Sequence, residues 1–447
     1  MIDKIFITII IFVVFVIAFR KAGGTLSPVR LNTISFSFYI LLLTSLIGGT
    51  VIYLGFRNHY VIYNLSEEIA QKGFYILAYT VIALPCFIVI FNKLQKINNY
   101  HTFFQNYVDE KVDTNNIHEG TAYSFAAIMT LVCFFSVMYT FYHVGYIALI
   151  KIFAGNFELF SKSVSINRQF TGNVYIRNIL AIGLTPILSY YTYIYSYYTG
   201  KRRWKSLFYV LFILSILIKT YDFSKAPVII YLFYFYLIKV IIGDIKNIKK
   251  LVKMGIICVT IILLVYYIAL GYTGKLFTFS SGPLSRMFIS QIAGLFMHVQ
   301  IFPSKHSYLD GASFPHFISW LFNVKEYGIR SGRVVMEVMY PSSVADNSVG
   351  VMNCIFVAEA YANYGLVGVV ISPIVVAFCI SVIPNFIIKQ RKNPTTITLY
   401  ILVTYCYQQA LIGGFVDFIY NVVLAFIFVL FIVIQFIMQK GKIYLRF

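Results

Sequence analysis

The polar residues between 346 and 365 have types that suit acid–base chemistry, and they stand in a chain that is otherwise strongly apolar. They include two carboxylates, Asp346 and Glu359, and two amides, Asn353 and Asn363. On a helix, Glu359 and Asn363 lie one turn apart on the same face. A carboxylate can take the proton of a hydroxyl group that it contacts. We therefore expect Glu359 to be a general base, with Asp346 as the second candidate.

Other side chains near these carboxylates suit a sugar ligand. The ring of Tyr361 can stack on a sugar, and the amides of Asn363 and Asn353 can bond its hydroxyl groups. His298 is a third candidate base, because imidazole titrates near neutral pH. The alternatives are a polar helix cap for the group at 346–365 and a structural role for His298.

Four cations outside the apolar runs have the chemistry to bind phosphate. They are Arg168, Arg286, Arg333 and Lys225. A guanidinium group binds phosphate oxygens in a fork and keeps its charge, and a lysine ammonium can point at the same group. The alternative for each is a solvated side chain or one that extends to lipid head groups.

The composition places these residues in a membrane protein. Of the 447 residues, 60% are hydrophobic and 12% are charged, whereas a soluble domain is roughly half apolar and a quarter charged. This excludes a water-soluble enzyme and a nucleic-acid-binding module, although the formal net charge is +20. The expected surrounding is a lipid bilayer, in which excess Lys and Arg mark the cytoplasmic loops.

Eleven apolar runs predict membrane-spanning helices. The runs cover about 5–19, 34–56, 73–92, 122–142, 178–199, 206–220, 226–243, 254–271, 366–388, 395–413 and 418–438. Every second gap between them is rich in Lys and Arg, which predicts an outer N-terminus and a cytoplasmic C-terminus. Two outer gaps are long, about 143–177 and 272–365. We expect the working surface there, since binding residues concentrate on such loops.

Parts of the second outer loop have patterns of their own. Residues 283–302 carry apolar side chains on one helical side and Arg286 and His298 on the other, which predicts an amphipathic helix that lies on or dips into the outer face of the membrane. Residues 312–323 predict an interfacial segment anchored by aromatic rings. A break at Tyr364-Gly365 should separate an outer helix from the span that follows. No linker or internal repeat divides the chain, so we expect one all-α polytopic membrane domain over 1–447.

Motifs of several enzyme classes are missing from the sequence. It lacks G-x-x-x-x-G-K followed by Ser or Thr, G-x-G-x-x-G, H-E-x-x-H and G-x-S-x-G. Their absence argues against ATP hydrolysis, nicotinamide binding, zinc proteolysis and serine hydrolysis. The six cysteines lie in or beside apolar runs without a C-x-x-C pair, so we expect neither disulfides nor a zinc site. We expect no metal and no cofactor.

The layout and three short segments resemble the Wzy-type O-antigen and capsule polymerases of bacterial cell envelopes. The layout combines about eleven aromatic-rich spans with two outer loops that carry arginines. The segments are AEAYANYGLVG at 358–368, KAPVIIYLF at 225–233 and NRQFTGNVY at 167–175. The paired R-x10-G pattern of some members does not follow Arg168, Arg330 or Arg333.

This resemblance implies a GT-C-like integral-membrane glycosyltransferase that needs neither a metal nor a nucleotide sugar. Its substrates would be oligosaccharides on undecaprenyl diphosphate, at the periplasmic face of the bacterial inner membrane. The growing chain would leave its lipid diphosphate and join the sugar end of a new lipid-linked unit. The four cations would then converge on the diphosphate, and a chain-length regulator protein would be a further partner.

Two other classes of function stay open. An O-antigen ligase would use the same donor, but it would need a larger outer loop with an essential His. A lipid-linked-oligosaccharide flippase or another transporter would need more spans, an internal repeat and a charged cavity.

Overall fold

The computed structural model describes residues 2–62, 64–113, 119–153, 170–223, 226–245, 285–321, 324, 326–346 and 349–438. These residues form helices, and no β-strand occurs among them. The all-α class is therefore confirmed for the described part of the chain. The predicted span at 254–271 lies outside the described residues.

The helices are numbered in chain order. The first ten are α1 Ile2–Gly23, α2 Thr33–Leu41, α3 Ile47–Tyr53, α4 Glu67–Leu94, α5 Tyr100–Asp109, α6 Glu119–Val144, α7 Ala148–Phe153, α8 Thr185–Thr199, α9 Arg202–Lys219 and α10 Ala226–Ile241. The following ones are α11 Gln291–Ile301, α12 His316–Leu321, α13 Ser331–Met339, α14 Pro341–Ala345, α15 Phe356–Ala377, α16 Ile383–Ile388, α17 Pro394–Gly413, α18 Val416–Ile419 and α19 Val422–Met438. π-Helical segments extend several of them, at Leu42–Leu46, Ile176–Leu184, Arg286–Ser290 and Phe378–Val382.

Six stretches of the described chain are long and apolar enough to cross a membrane, which indicates a multi-pass membrane protein. They are Ile2–Arg30, Thr33–Tyr53, Glu67–Leu94, Glu119–Val144, Phe356–Ile388 and Val416–Ile437. The sequence predicts eleven. Four of the other five predicted runs are helical, as α8, α9, α10 and α17, but are too short or too polar to meet the same criteria.

One end of the bundle gathers segments that the charge pattern places on the outer face. Lys4, at the start of α1, and Arg57 both bond to the carboxylate of Glu67 at the start of α4. Lys4 Nζ also donates to the carbonyl oxygen of Tyr53 at the end of α3, at 3.3 Å. The start of α1, the end of α3 and the start of α4 are therefore neighbours, as alternating spans require.

The opposite end joins segments predicted in the cytoplasm. Arg391 bonds to Asp113 at 2.8 Å. Lys392 Nζ donates to the carbonyl oxygens of Val108, at 2.8 Å, and Glu110, at 3.0 Å, where α5 ends. Burial lowers the pKa of Lys392 to about 8, and nearby acidic side chains offset part of that effect. Helix α5 lies in the loop between residues 93 and 120.

Hydrogen bonds join α2 to α17 inside the bundle. Thr33 Oγ1 and Thr404 Oγ1 lie 2.7 Å apart, and the N–H of Thr33 donates to the hydroxyl of Tyr400 at 2.9 Å. Gln408 Nε2 donates to the carbonyl oxygen of Thr33 and to the hydroxyl of Ser37. All five residues are buried. These polar groups bond one another in the bundle interior, although Gln408 Oε1 has no hydrogen-bond partner among the described residues.

Helix α11 differs from the predicted amphipathic surface helix. It packs between α4 and α15, and His298 is buried together with the apolar residues. Gly73 on α4 allows this close approach, since a Cβ at that position would lie 2.5 Å from the ring of Phe296. The prediction of a surface helix is wrong for α11, because the polar side chain of His298 is buried and has its hydrogen-bond partners within the protein. Arg286, which precedes this helix, is exposed.

The short helix α12 presents aromatic rings at the predicted outer end. Phe317 and Trp320 are exposed, and the ring of Phe317 packs edge-on against Tyr420 with centroids 5.1 Å apart. Phe314, just before the helix, is buried. Exposed rings at this position are typical of a membrane–water interface.

Candidate functional site

A break in α15 separates its first turns, at the end predicted to be outer, from the longer half that follows. Tyr364 (φ −134°, ψ 19°) and Gly365 (φ 56°, ψ −138°) leave helical geometry, which confirms the predicted break. The φ of Gly365 lies in the left-handed region, where a side chain would be strained. Glu359 and Asn363 therefore belong to a short outer helix of their own.

The carboxylate of Glu359 is buried and is held by main chain. The residue is 2% exposed, and Oε2 accepts a hydrogen bond from the N–H of Val416 at 3.0 Å. A Cβ at Gly414 would lie 2.4 Å from this oxygen, so glycine is needed for the close approach. Glu359 thus fixes the loop between α17 and α18.

The loop that Glu359 holds leads directly to an ion pair. Arg330 Nη2 donates to Asp417 Oδ1 at 2.7 Å, and the two side chains are 44% and 27% exposed. Arg330 also lies close enough to Glu359 for their charges to interact. The structure therefore places two carboxylates, one buried and one accessible, beside the same guanidinium group.

A second arginine lies within one helical turn of this ion pair. Arg330 immediately precedes α13, and the N–H of Arg333 donates to the carbonyl oxygen of Arg330 at 2.8 Å. Arg333 Nε donates to Glu337 Oε1 at 2.9 Å. Its Nη1 is buried and has no hydrogen-bond partner in the part of the chain that the structure describes. The Nη1 group of Arg333 is thus free of hydrogen bonds to the described residues.

Asn363 joins α15 to the loop that follows α11. Its Oδ1 accepts hydrogen bonds from the N–H groups of Gly311, at 3.1 Å, and Ser313, at 3.4 Å. Its Nδ2 donates to the carbonyl oxygen of Glu359 at 2.8 Å and to Ser313 Oγ at 2.9 Å. Asn363 is buried, so all of its hydrogen bonds are made within the protein.

The other two residues assigned to sugar binding differ from each other in exposure. Tyr361 is buried, and its hydroxyl donates to the carbonyl oxygen of Phe302 at 3.2 Å. Asn353 is exposed, and its Nδ2 donates to Gln291 Oε1 at 3.2 Å. Of Tyr361, Asn363 and Asn353, only Asn353 is exposed at the protein surface.

His298 supports the helix that carries the arginines. Its Nδ1 donates to the carbonyl oxygen of Gly294 at 2.6 Å, and its Nε2 lies 3.0 Å from the hydroxyl of Ser331. Complete burial lowers the pKa of His298 to about 4, so the ring is neutral at pH 7. Because Ser331 follows Arg330 directly, His298 helps to fix the start of α13.

Of the remaining predicted site residues, Asp346 and Arg286 make no contact with this group in the described part of the chain. Asp346 is exposed at the end of α14, where its N–H donates to the carbonyl oxygen of Ser342 at 3.0 Å. Arg286 is exposed beside His59; burial and the charge of Arg286 together lower the pKa of His59. Arg168 and Lys225 lie outside the described residues.

Sequence reasoning missed the pairing of Arg330 with Asp417. Both stand in outer segments of the sequence, and Arg330 is one of two arginines in the motif GIRSGRVV. They are 87 residues apart, and no spacing rule connects them. The sequence signal that could have revealed this pair was Arg330, the arginine of the motif that was not assigned to phosphate, together with the acidic residue Asp417 at the end of a predicted span.

Within the described ranges, no group of three or more His, Cys, Asp or Glu side chains is placed to hold a metal ion. No known family model matches the chain, and neither a curated protein nor a solved structure matches it.

Proposed function

We propose that the chain is a membrane glycosyltransferase that polymerises oligosaccharide repeat units carried on undecaprenyl diphosphate into O-antigen or capsular polysaccharide. The reaction would take place at the periplasmic face of a bacterial inner membrane. The observation that carries the proposal is the group of Arg330, Arg333 and Asp417, with Glu359 beneath it, at the predicted outer end. This group offers cations for a diphosphate and an accessible carboxylate for a hydroxyl group.

The two arginines would stabilise the leaving group. In the transfer, the bond between the anomeric carbon of the donor sugar and a diphosphate oxygen breaks, and the electron pair leaves with undecaprenyl diphosphate. Guanidinium donors stabilise the negative charge that develops on that oxygen. Arg333 Nη1 has no hydrogen-bond partner among the described residues, and Arg330 would exchange Asp417 for a phosphate oxygen.

Asp417 is the better placed general base. The acceptor oxygen bonds to the anomeric carbon, and its proton passes to a group within hydrogen-bond reach. Although sequence reasoning ranked Glu359 first, that residue is 2% exposed, whereas the Asp417 side chain is 27% exposed. A diphosphate that draws Arg330 away would leave Asp417 free to accept the proton. Glu359 then acts as a positioning residue for the loop that carries Asp417.

The surroundings of the group suit a lipid-linked substrate. The exposed rings of Phe317 and Trp320 lie at the same end of the bundle, and aromatic rings of this kind anchor a protein at the level of lipid head groups. A diphosphate on a polyprenyl chain would lie at this level too. The substrate could therefore present its head group to the arginines while its tail stays in the bilayer.

The first test is deletion of the gene in the bacterium that encodes it. We expect the ladder of polysaccharide lengths on a gel to collapse to a single repeat unit, and a plasmid copy to restore it. An unchanged ladder would refute the proposal. Loss of all repeat units, including the single one, would instead indicate a ligase or a flippase.

Variants in the same strain test the roles of the residues. Asp417→Asn and Arg330→Lys should both lose the ladder at unchanged protein level, because one removes the base and the other the fork that binds phosphate. Glu359→Gln should keep a ladder, since the amide oxygen can still accept from Val416. Glu68→Gln is the matched control, since it removes an exposed carboxylate at the same predicted end of the bundle. A full ladder in Asp417→Asn together with none in Glu359→Gln would return the role of base to Glu359.

A further inference from the structure

A lysine side chain points into the helix bundle rather than toward the membrane surface. Lys219 is the last residue of α9 and is 5% exposed. Its Nζ donates to the hydroxyl of Tyr405 at 3.3 Å and lies 5.4 Å from the centre of that ring. Tyr405 precedes the end of α17, at Gly413, by two helical turns, or about 12 Å along the axis. A lysine at a helix end normally extends outward to water.

No carboxylate of the described residues forms a salt bridge with the ammonium of Lys219. Tyr405 is its only hydrogen-bond partner there, whereas an ammonium carries three donors. Tyr234 packs edge-on against Tyr405 with ring centroids 5.4 Å apart. Tyr234 is fully buried, and its hydroxyl has no hydrogen-bond partner among the described residues. A buried charge without a partner is strongly unfavourable, so the arrangement calls for an anionic ligand.

One face of α17 connects this position with the outer end. From residue 394 to 411 the helix is buried except at Tyr405 and Gln409, which are partly exposed and one turn apart. Gly413, one turn further, is exposed, and a Cβ there would lie 3.0 Å from Asp417 Oδ2. Lipid-facing positions are apolar, whereas polar side chains within a membrane line cavities or pathways. Tyr405, Gln409 and Gly413 therefore form a partly exposed stripe on α17 that leads from Lys219 to Asp417.

We propose that Lys219, Tyr405 and Tyr234 form an oxyanion-binding site inside the bundle, reached from the outer end along this face of α17. The ligand is a phosphate-type group, either a free anion or the head group of a lipid. The three side chains offer hydrogen-bond donors, and no carboxylate of the described residues contacts Lys219, which selects an anion over a cation. The site does not depend on polymerase activity.

Binding of two probes to the full-length protein in nanodiscs tests the site. Inorganic pyrophosphate represents a free anion, and farnesyl diphosphate represents a lipid head group; both are titrated by calorimetry. We expect saturable binding that weakens at least tenfold in Lys219→Met and less in Tyr405→Phe. Lys205→Met, an exposed lysine at the opposite end of α9, is the matched control and should bind as the wild type does. Binding of farnesyl diphosphate alone would identify a lipid head group, and binding of both probes a free anion.

A stability measurement separates a ligand site from a structural lysine. Without ligand, Lys219→Met should melt at the same or a higher temperature than the wild type, because it removes a buried charge that lacks a partner. The proposal is overturned if neither probe binds, if Lys219→Met binds as the wild type does, or if it melts lower without ligand. If Lys219→Met does not fold, unchanged affinity in both Tyr405→Phe and Gln409→Leu overturns it.

Discussion

Replacing Glu359 with leucine removes the acceptor that holds the loop after Gly414 and keeps a side chain of similar size. The N–H of Val416 then loses its acceptor inside the protein, and a buried donor left without a partner costs about 1–3 kcal/mol. Glu359→Gln keeps an acceptor, and such a bond is worth about 0.5–1.5 kcal/mol. The free energy of unfolding should therefore be lower in Leu than in Gln or wild type. Wild type and Leu should differ by about 5- to 150-fold in the unfolding equilibrium constant.

Unfolding in mixed micelles by increasing SDS, followed by tryptophan fluorescence, measures this order. Trp204 is fully buried and reports loss of packing. Glu337→Gln is the control; it removes an exposed carboxylate that pairs with Arg333 on its own helix, so its effect should stay within about 0.5 kcal/mol. A Leu variant as stable as the wild type would refute the reasoning, because it would show that other contacts hold the loop.

Three further predictions concern packing, titration and topology. Gly73→Leu should lower the free energy of unfolding by about 1–3 kcal/mol, since even a Cβ would lie 2.5 Å from the ring of Phe296; unchanged stability in the SDS titration would contradict this close contact. As the pH rises from about 8 toward 10.5, the wild type should gain stability relative to Lys392→Met, because folded Lys392 loses its proton at a lower pH than the unfolded chain does. A stability difference that stays constant with pH would contradict that pKa. A reporter fused after Arg203 should read cytoplasmic and one at Asp310 periplasmic, and the reverse result would place the candidate site on the wrong side.

Local patterns were sufficient for features that depend on neighbouring residues. Apolar runs separated by charged gaps predicted the helices, because a backbone in a bilayer must satisfy its own hydrogen bonds. The break at Tyr364-Gly365 was predictable, since glycine adopts a left-handed φ without strain. The exposed rings of Phe317 and Trp320 follow from an aromatic cluster next to a membrane segment.

Features that depend on distant residues were not predictable from one sequence. The helical wheel places His298 opposite the apolar side chains of α11, but it does not reveal that His298 is buried with them or that Ser331 supplies its partner within the protein. The contact of Arg330 with Asp417 joins a loop to the start of a different helix. Burial of Tyr361 and Asn363 likewise results from the loop after α11, which folds back over α15.

The hydrogen bonds between α2 and α17 also constrain how the protein is made. Gln408 follows Thr33 by 375 residues, which takes about 20–75 s at roughly 5–20 residues per second of synthesis. During that interval α2 is already complete, but its hydroxyl groups and the free main-chain groups at its start lack their partners from α17. Polar groups of this kind are costly in hydrocarbon, so we expect α2 to stay beside the insertion machinery until α17 emerges. A chain that stops before residue 394 would expose them permanently, which makes it a substrate for proteolytic quality control.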